Sequence, residues 1–321
     1  MTPLAVGVDL GGTNARAAVV DPDTGEIVAA HKEPLRERSP ERVVEVVRHV
    51  IEEATHAAGV PPRGDGVLGV GVAGQVLGST GLVLNAPNLG WRDVAFGELL
   101  ERALGARVRV ANDLAVAAWG ERTFGAARGV DDVILVFVGS GVGSGLILGG
   151  RIHGGAQGVA GEFGHIKVRP LRAETRPRRC GCGELGCLEA YTSGMNVAAR
   201  IREDVAAGAK TRVAELAGGD PDRMTASAVE AAFAAGDPYA VGLWNEVGEL
   251  LGTAVANYVT VLNPAKLILG GGVLLGCPAL TALVRRHVEE GTAGSARRAL
   301  SIERAFLGDD AGVIGAAVLG A

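Results

Sequence analysis

Short apolar runs that end in glycine, alternating with longer amphipathic stretches, dominate this chain. Residues 4–9 (LAVGVD) and 15–20 (ARAAVV) predict two strands around a Gly-Gly turn, with 26–30 a third strand after the turn Asp21-Pro-Asp-Thr-Gly25. A helix follows over 40–58, with Ser39 at its cap and Glu41 and Glu45 near its positive end. Residues 66–72 predict a strand, 93–104 a helix and 108–111 a strand. The opening theme recurs at 133–149, where VILVFV enters Gly139-Ser-Gly-Val-Gly-Ser-Gly145 and LILGG leaves it. The remainder is a helix-rich region at 194–262, a strand at 266–269, a helix near 278–290, a strand at 300–306 and a helix from Asp310 onward. Strands alternating with helices indicate an α/β fold. Two copies of strand, glycine turn, strand are too few for a solenoid and suggest two related lobes with a cleft between them. The expected division is a smaller lobe over 1–111, to which the helix at about 308–321 returns, and a larger lobe over 112–307.

At 321 residues and 48% hydrophobic the chain can build two sizeable cores, which excludes disorder. Its 50 glycines are about twice the usual ~7% share, and they follow no Gly-X-Y period. They belong in turns, close backbone approaches or ligand loops. A net charge of −5 speaks against binding nucleic acid by phosphate neutralisation. With no apolar run near ~20 residues and no leader-like N-terminus, a cytoplasmic protein off the membrane is expected.

Three glycine clusters carry chemistry. In Asp9-Leu-Gly11-Gly12-Thr13-Asn14-Ala-Arg16, amide groups bared by glycine suit anionic oxygens. Asp9 is placed to hold a metal ion through water, and Arg16 adds a positive charge. A ligand-free hairpin turn explains this segment equally well alone. The second cluster (Gly139, Ser140, Gly141, Gly143) shifts the balance, because two such turns fit a gripped nucleotide. The third, ending in Gly270-Gly271-Gly272, suits close approach to a base or ribose. A Walker loop is excluded, since no lysine follows a glycine. The Gly69-x-Gly71-x-x-Gly74 match opens no helix, and the dinucleotide fingerprint requires one.

Asn112-Asp113 follows a strand and is read either as a helix cap or as the carboxylate that accepts a hydroxyl proton during phosphoryl transfer. His165, Cys180, Cys182 and Cys187 offer one imidazole and three thiolates, a four-ligand zinc set, the alternative being three reduced thiols in a glycine-rich loop. A closed site of this kind would be structural and would pin the Glu162–His165 segment beside Glu189. Between the ligands, Arg169, Arg172, Arg176, Arg178 and Arg179 form a basic stretch, most simply a solvated loop.

The motifs DLGGTNAR (9–16), NAPNLGW (85–91), NDLAVAAWGE (112–121), GSGVGSG (139–145), GVAGEFGH (158–165) and CGCGELGCLEA (180–190) together resemble the ROK family of repressors, open reading frames and sugar kinases. The resemblance implies a two-lobe actin/hexokinase-like (ribonuclease H-like) α/β fold and an ATP- and Mg2+-dependent hexose kinase with structural Zn2+. Glucose, phosphorylated at its 6-hydroxyl, is the first-choice substrate; N-acetylmannosamine, mannose and fructose are alternatives. By position it makes Asp113 the general base and gives sugar contacts to Asn112, Glu162, His165 and Glu189, with Gly74 and Asn88 in the sugar pocket. It gives phosphate contacts to Asp9, Gly12, Thr13, Asn14, Arg16 and Gly139 to Gly143, and the zinc to His165, Cys180, Cys182 and Cys187. His165 would then use one ring nitrogen for zinc and the other for a sugar hydroxyl. The family also suggests a homodimer or a dimer of dimers. Ser140 and Ser144 stand where many relatives carry Thr and Gly, and Gly74-Gln75 leaves the sugar's identity open. A sugar-responsive repressor of the same family is disfavoured, because no helix-turn-helix fits before the first strand. An ATPase of the actin or chaperone type would leave the cysteine cluster and Glu189 unexplained.

Overall fold

A computed structural model describes residues 3–61, 67–169 and 177–319. The first sheet contains β1 (Ala5–Leu10), β2 (Asn14–Val20), β3 (Ile27–Pro34), β4 (Leu68–Val72) and β8 (Val108–Asn112) in the order β3-β2-β1-β4-β8. The pairs β3–β2 and β2–β1 are antiparallel, whereas β1–β4 and β4–β8 are parallel. Helix α1 (Pro40–Ala57) buries Val43, Val47, Val50 and Ile51 in the same core as Val8, Leu10, Val70 and Val72. Ser39 occupies its N-cap position, but the hydroxyl bonds to the Glu37 carboxylate at 2.8 Å and not to the helix.

A small sheet, β5 (Gln75–Leu77), β6 (Leu82–Ala86) and β7 (Trp91–Val94), precedes α2 (Phe96–Leu104). The helix expected from residue 93 therefore starts later. Asp93, within β7, has φ 52°, a left-handed conformation that prevents a helix from passing through it. Helix α3 (Asp113–Thr123) follows β8 directly.

The second five-stranded sheet adds β9 (Val133–Val138), β10 (Val142–Leu148), β11 (Arg151–Ile152), β12 (Lys266–Gly270) and β13 (Ser301–Arg304), in the order β11-β10-β9-β12-β13. The helices around it in sequence are α4 (Glu189–Thr192), α5 (Gly194–Ala206), α6 (Arg212–Leu216), α7 (Ala226–Ala234) and α8 (Pro238–Leu262). After β12 come α9 (Gly272–Gly276), α10 (Pro278–Gly291) and α11 (Gly294–Ala299), and β13 leads into α12 (Ala311–Leu319). Helix α8 packs along α10 and contributes the buried Trp244 and Val255. No helix among the described residues is long and apolar enough to cross a membrane.

The chain forms two compact units. The first comprises Met1–Val133, Gly145–Gly161 and Ala305–Ala321, and the second Ile134–Ser144 and Glu162–Arg304. Within the first, α12 lies on β1, β4 and α3. Glycine makes this contact possible: a Cβ on Gly7 would strike the backbone of Val313 and Ala317, and one on Gly69 the carbonyl of Ala316. Across the helix pair, Gly315 of α12 meets Val116 of α3, and a Cβ on Gly120 would lie 2.6 Å from the Ala311 carbonyl. Part of the glycine excess therefore serves backbone-to-backbone packing, including Gly69 of the coincidental Gly-x-Gly-x-x-Gly match.

Glu121 secures the segment entering α12. This fully buried carboxylate accepts the Phe306 and Leu307 amides, both at 2.8 Å. Arg109 and Trp119 donate to the Leu319 and Val318 carbonyls at the other end of the helix.

Candidate functional site

The first glycine loop connects β1 to β2 and is fixed from several sides. The Gly11 amide donates to the Asn14 carbonyl at 3.0 Å, closing the turn. The Gly12 carbonyl accepts Arg38 Nε at 2.9 Å, and Arg38 is held through its own carbonyl by Trp91 Nε1 at 2.6 Å. Leu35 N donates to the Thr13 carbonyl at 2.7 Å, and the Asn14 amide reaches Thr13 Oγ1 at 2.9 Å. A Cβ on Gly12 would lie 2.5 Å from Asn88 Cβ, so only glycine lets the loop come this close to the Asn88 segment.

Asp9 stands opposite Arg16 in the β1–β2 register. Burial pushes the Asp9 carboxyl above the ordinary carboxylate value; Arg16 and Lys32 pull it back, and Asp309 raises it further. Arg16 pairs with Asp310 at 2.6 Å, with a longer bond to the Asp309 carbonyl at 3.4 Å. Its charge is therefore engaged by the Asp310 carboxylate, a partner that the sequence motifs do not mark. The available signal was Asp309-Asp310 at the start of a helix, where acidic residues usually serve the helix dipole.

Asn112 and Asp113 join β8 to α3. Asn112 caps the helix, Oδ1 accepting the Leu114 and Ala115 amides at 2.9 and 3.0 Å. Its Nδ2 donates to the Gly74 carbonyl and to Asp113 Oδ1, both at 3.0 Å. Asp113 Oδ1 also accepts the Leu114 amide at 2.9 Å, which fixes the half-buried carboxylate at the positive end of α3. The cap reading thus describes Asn112, and that cap is what orients Asp113.

In the second unit, the loop between β9 and β10 is closed by the Gly139 amide on the Gly141 carbonyl at 2.9 Å. The Gly139 carbonyl accepts Gly194 N at 2.8 Å. Ser140 is exposed, and Gly143 is half-buried in β10. Gly271, with φ 89°, sits where a Cβ would collide with the Val138 backbone, so the third glycine cluster abuts the end of β9; Gly272 opens α9 in an exposed position.

Glu189, the first residue of α4, accepts the Val142 amide through Oε2 at 2.9 Å and faces Cys180 Sγ through Oε1 at 3.6 Å. It therefore ties the second glycine loop to the cysteine cluster. Phe163, at the start of the 3₁₀ turn Phe163–His165, stacks on Tyr258 at 5.0 Å between centroids.

His165, Cys180, Cys182 and Cys187 present ligand atoms that all lie within 4.8 Å of one another. His165 Nδ1 is 3.8 Å from Cys180 Sγ, and Cys182 and Cys187 sulfurs are 3.7 Å apart. Four ligands at about 2.0–2.3 Å from a tetrahedral zinc stand roughly 3.3–3.8 Å from one another, so this donor set fits that ion. His165 Nε2 points elsewhere, to Glu162 Oε2 at 3.7 Å. Burial pushes the Cys180 thiol up to about 12, and Lys167 Nζ lies 3.2 Å from Cys187 Sγ, a cation beside the cluster that spacing alone did not reveal. In the basic stretch, Arg178 pairs with Glu203 at 2.9 Å and Arg179 donates to the Gly183 carbonyl at 2.7 Å, while Arg172 and Arg176 lie outside the described residues.

The pattern of the ROK family matches residues 5–321. The chain belongs to the ROK family. A glucokinase of Streptomyces coelicolor is 34% identical to it over 319 residues, covering 98% of this chain and 97% of that one. A crystal structure of a ROK family glucokinase from Streptomyces griseus in complex with glucose and AMPPNP is 33% identical. It superposes with a TM-score of 0.81 and covers 99% of both chains. The xylose repressor of Caldicellulosiruptor bescii is 29% identical over 266 residues, 83% of this ROK chain and 65% of the repressor. The fold is accordingly the α/β two-lobe, actin-like fold of ROK sugar kinases.

Proposed function

We propose that this ROK chain is an ATP-dependent glucokinase that phosphorylates the 6-hydroxyl of glucose. The observation that carries the reading is its full-length likeness to a ROK glucokinase solved with glucose and AMPPNP. Asp113 is the general base: its carboxylate takes the hydroxyl proton as the sugar oxygen bonds to the γ-phosphorus and the bond to the ADP oxygen breaks. Asn112 and the Leu114 amide orient that carboxylate, an arrangement suited to a base that must not turn away. The sugar hydroxyls are the ligands of Asn112, Glu162, His165 and Glu189, and Gly74 and Asn88 belong to the same recognition set.

The phosphates are the ligands of Gly11, Gly12, Thr13, Asn14, Arg16, Gly139, Ser140, Gly141 and Gly143, with Gly271 and Gly272 toward the nucleoside. Asp9 is a hard oxygen donor that suits Mg2+, which would neutralise phosphate charge during transfer. The Cys3His donor set would hold zinc as a closed structural site, and no step of the reaction passes through it. On this reading the protein works in the cytoplasm as a homodimer or a dimer of dimers, and its product enters glycolysis.

The test is to titrate glucose, mannose, fructose, N-acetylglucosamine and N-acetylmannosamine with ATP and follow ADP release. Glucose should give the highest kcat/KM. A higher value for another sugar refutes glucose, and no stimulation by any sugar refutes the kinase. Sugar binding without ADP release would instead support a sensor related to the repressors.

A further inference from the structure

We propose that His31, Glu33 and His49 form a second metal site, taking a divalent transition ion such as Zn2+ or Ni2+. His31 and Glu33 are two residues apart on β3 and so share one face of the strand. That strand packs against α1, which carries His49. His49 Nε2 lies 3.2 Å and His31 Nε2 3.5 Å from the same oxygen, Glu33 Oε1, and the three ligand atoms all fall within 4.8 Å of one another. One ion about 2.1 Å from each donor needs donor separations of roughly 3.0–3.4 Å, octahedral or tetrahedral; the two histidine-to-Glu33 separations are close to that, and the two imidazoles lie within the same 4.8 Å limit.

A second observation points to a ligand. His31 Nε2 is shielded from solvent and makes no hydrogen bond among the described residues; the Glu33 oxygen at 3.5 Å is too long and poorly aligned to serve as one, so this buried nitrogen, aimed at the cluster, lacks a full partner. Two imidazoles and one carboxylate select zinc, nickel or copper over magnesium or calcium, and three protein ligands leave an open coordination position. The site shares no residue with the Cys3His cluster and needs no part of the proposed reaction. An ion there would clamp β3 to α1 next to Glu33, which is paired in register with Ala15 of the first glycine loop's outgoing strand.

The experiment uses the full chain already saturated with one equivalent of zinc, titrated with further Zn2+ and with Ni2+ by calorimetry, and analysed for bound metal. One additional equivalent is expected. His49→Ala, at an exposed helix position where alanine favours the fold, should weaken this second binding at least about tenfold, as should Glu33→Gln. His56→Ala, an exposed histidine of the same helix, should bind like the wild type. Cobalt at this site should show no thiolate-to-metal charge-transfer band. Uptake of no second ion by the wild type overturns the proposal, as does unchanged binding in both His49→Ala and Glu33→Gln.

Discussion

Glu189 is the residue whose removal discriminates most sharply between two roles. If it serves only the sugar, alanine and glutamine at this position should harm sugar binding alike and leave ATP alone. The structure gives it a further duty, because its carboxylate accepts the Val142 amide at 2.9 Å and so holds the Gly139–Gly143 loop. A hydrogen bond to a charged acceptor contributes about 1.5–3 kcal/mol. At 1.4 kcal/mol per factor of ten, its loss weakens whatever the loop binds by about tenfold to a hundredfold. Glu189→Ala should therefore raise KM for ATP at least about tenfold in a coupled ADP-release assay at saturating glucose. Glu189→Gln retains an oxygen for Val142 and should keep KM for ATP within about threefold of wild type, while KM for glucose rises in both variants. Equal KM for ATP in the alanine and glutamine proteins would refute the claim that this carboxylate organises the loop.

Asp113→Asn should lower kcat by at least about 10²-fold while glucose binding, measured by calorimetry, survives; near-normal turnover would remove Asp113 as the base. Metal analysis should find about one zinc held tightly per chain, and Cys182→Ser should retain far less and melt earlier; a variant of full stability would defeat the structural-zinc assignment. Burial raises the Asp9 pKa, so the folded state binds this proton more tightly than the unfolded chain, and the stability it contributes is present below the ordinary value near 3.8 and lost as pH rises through the folded value. Asp9→Asn should accordingly melt higher than wild type at neutral pH, with the gap closing in acid, and should lose turnover. Glu121→Ala strands the Phe306 and Leu307 amides at about 1–3 kcal/mol each, so a loss of about 3 kcal/mol and a drop of roughly 6–12 °C are expected in thermal melts.

The strands and long helices were legible because their signals are local: apolar runs closed by glycine, and caps such as Asn112. The start of α2 was not, since it depends on one residue, Asp93, adopting a left-handed backbone. The cysteine and histidine spacing exposed a donor set, because metal ligands are few and chemically distinctive. What spacing could not supply was every partnership made across the fold. Arg16 with Asp310, Arg38 with Gly12 and Glu121 with Phe306 join residues far apart in sequence, and nothing local marks them. His31, Glu33 and His49 were equally silent, since histidine in an amphipathic segment carries no signature until a strand and a helix bring the rings together.

The seam at Gly7 and Gly69 has a consequence for how the chain is made. Helix α12 fills that seam, yet Ala311–Leu319 is synthesised after every residue of the second unit. On the ribosome the second unit can close while β1 and β4 still wait for the helix that covers them. The first unit, although it begins first, is thus the last to be finished, and its folding is timed by the translation of its neighbour.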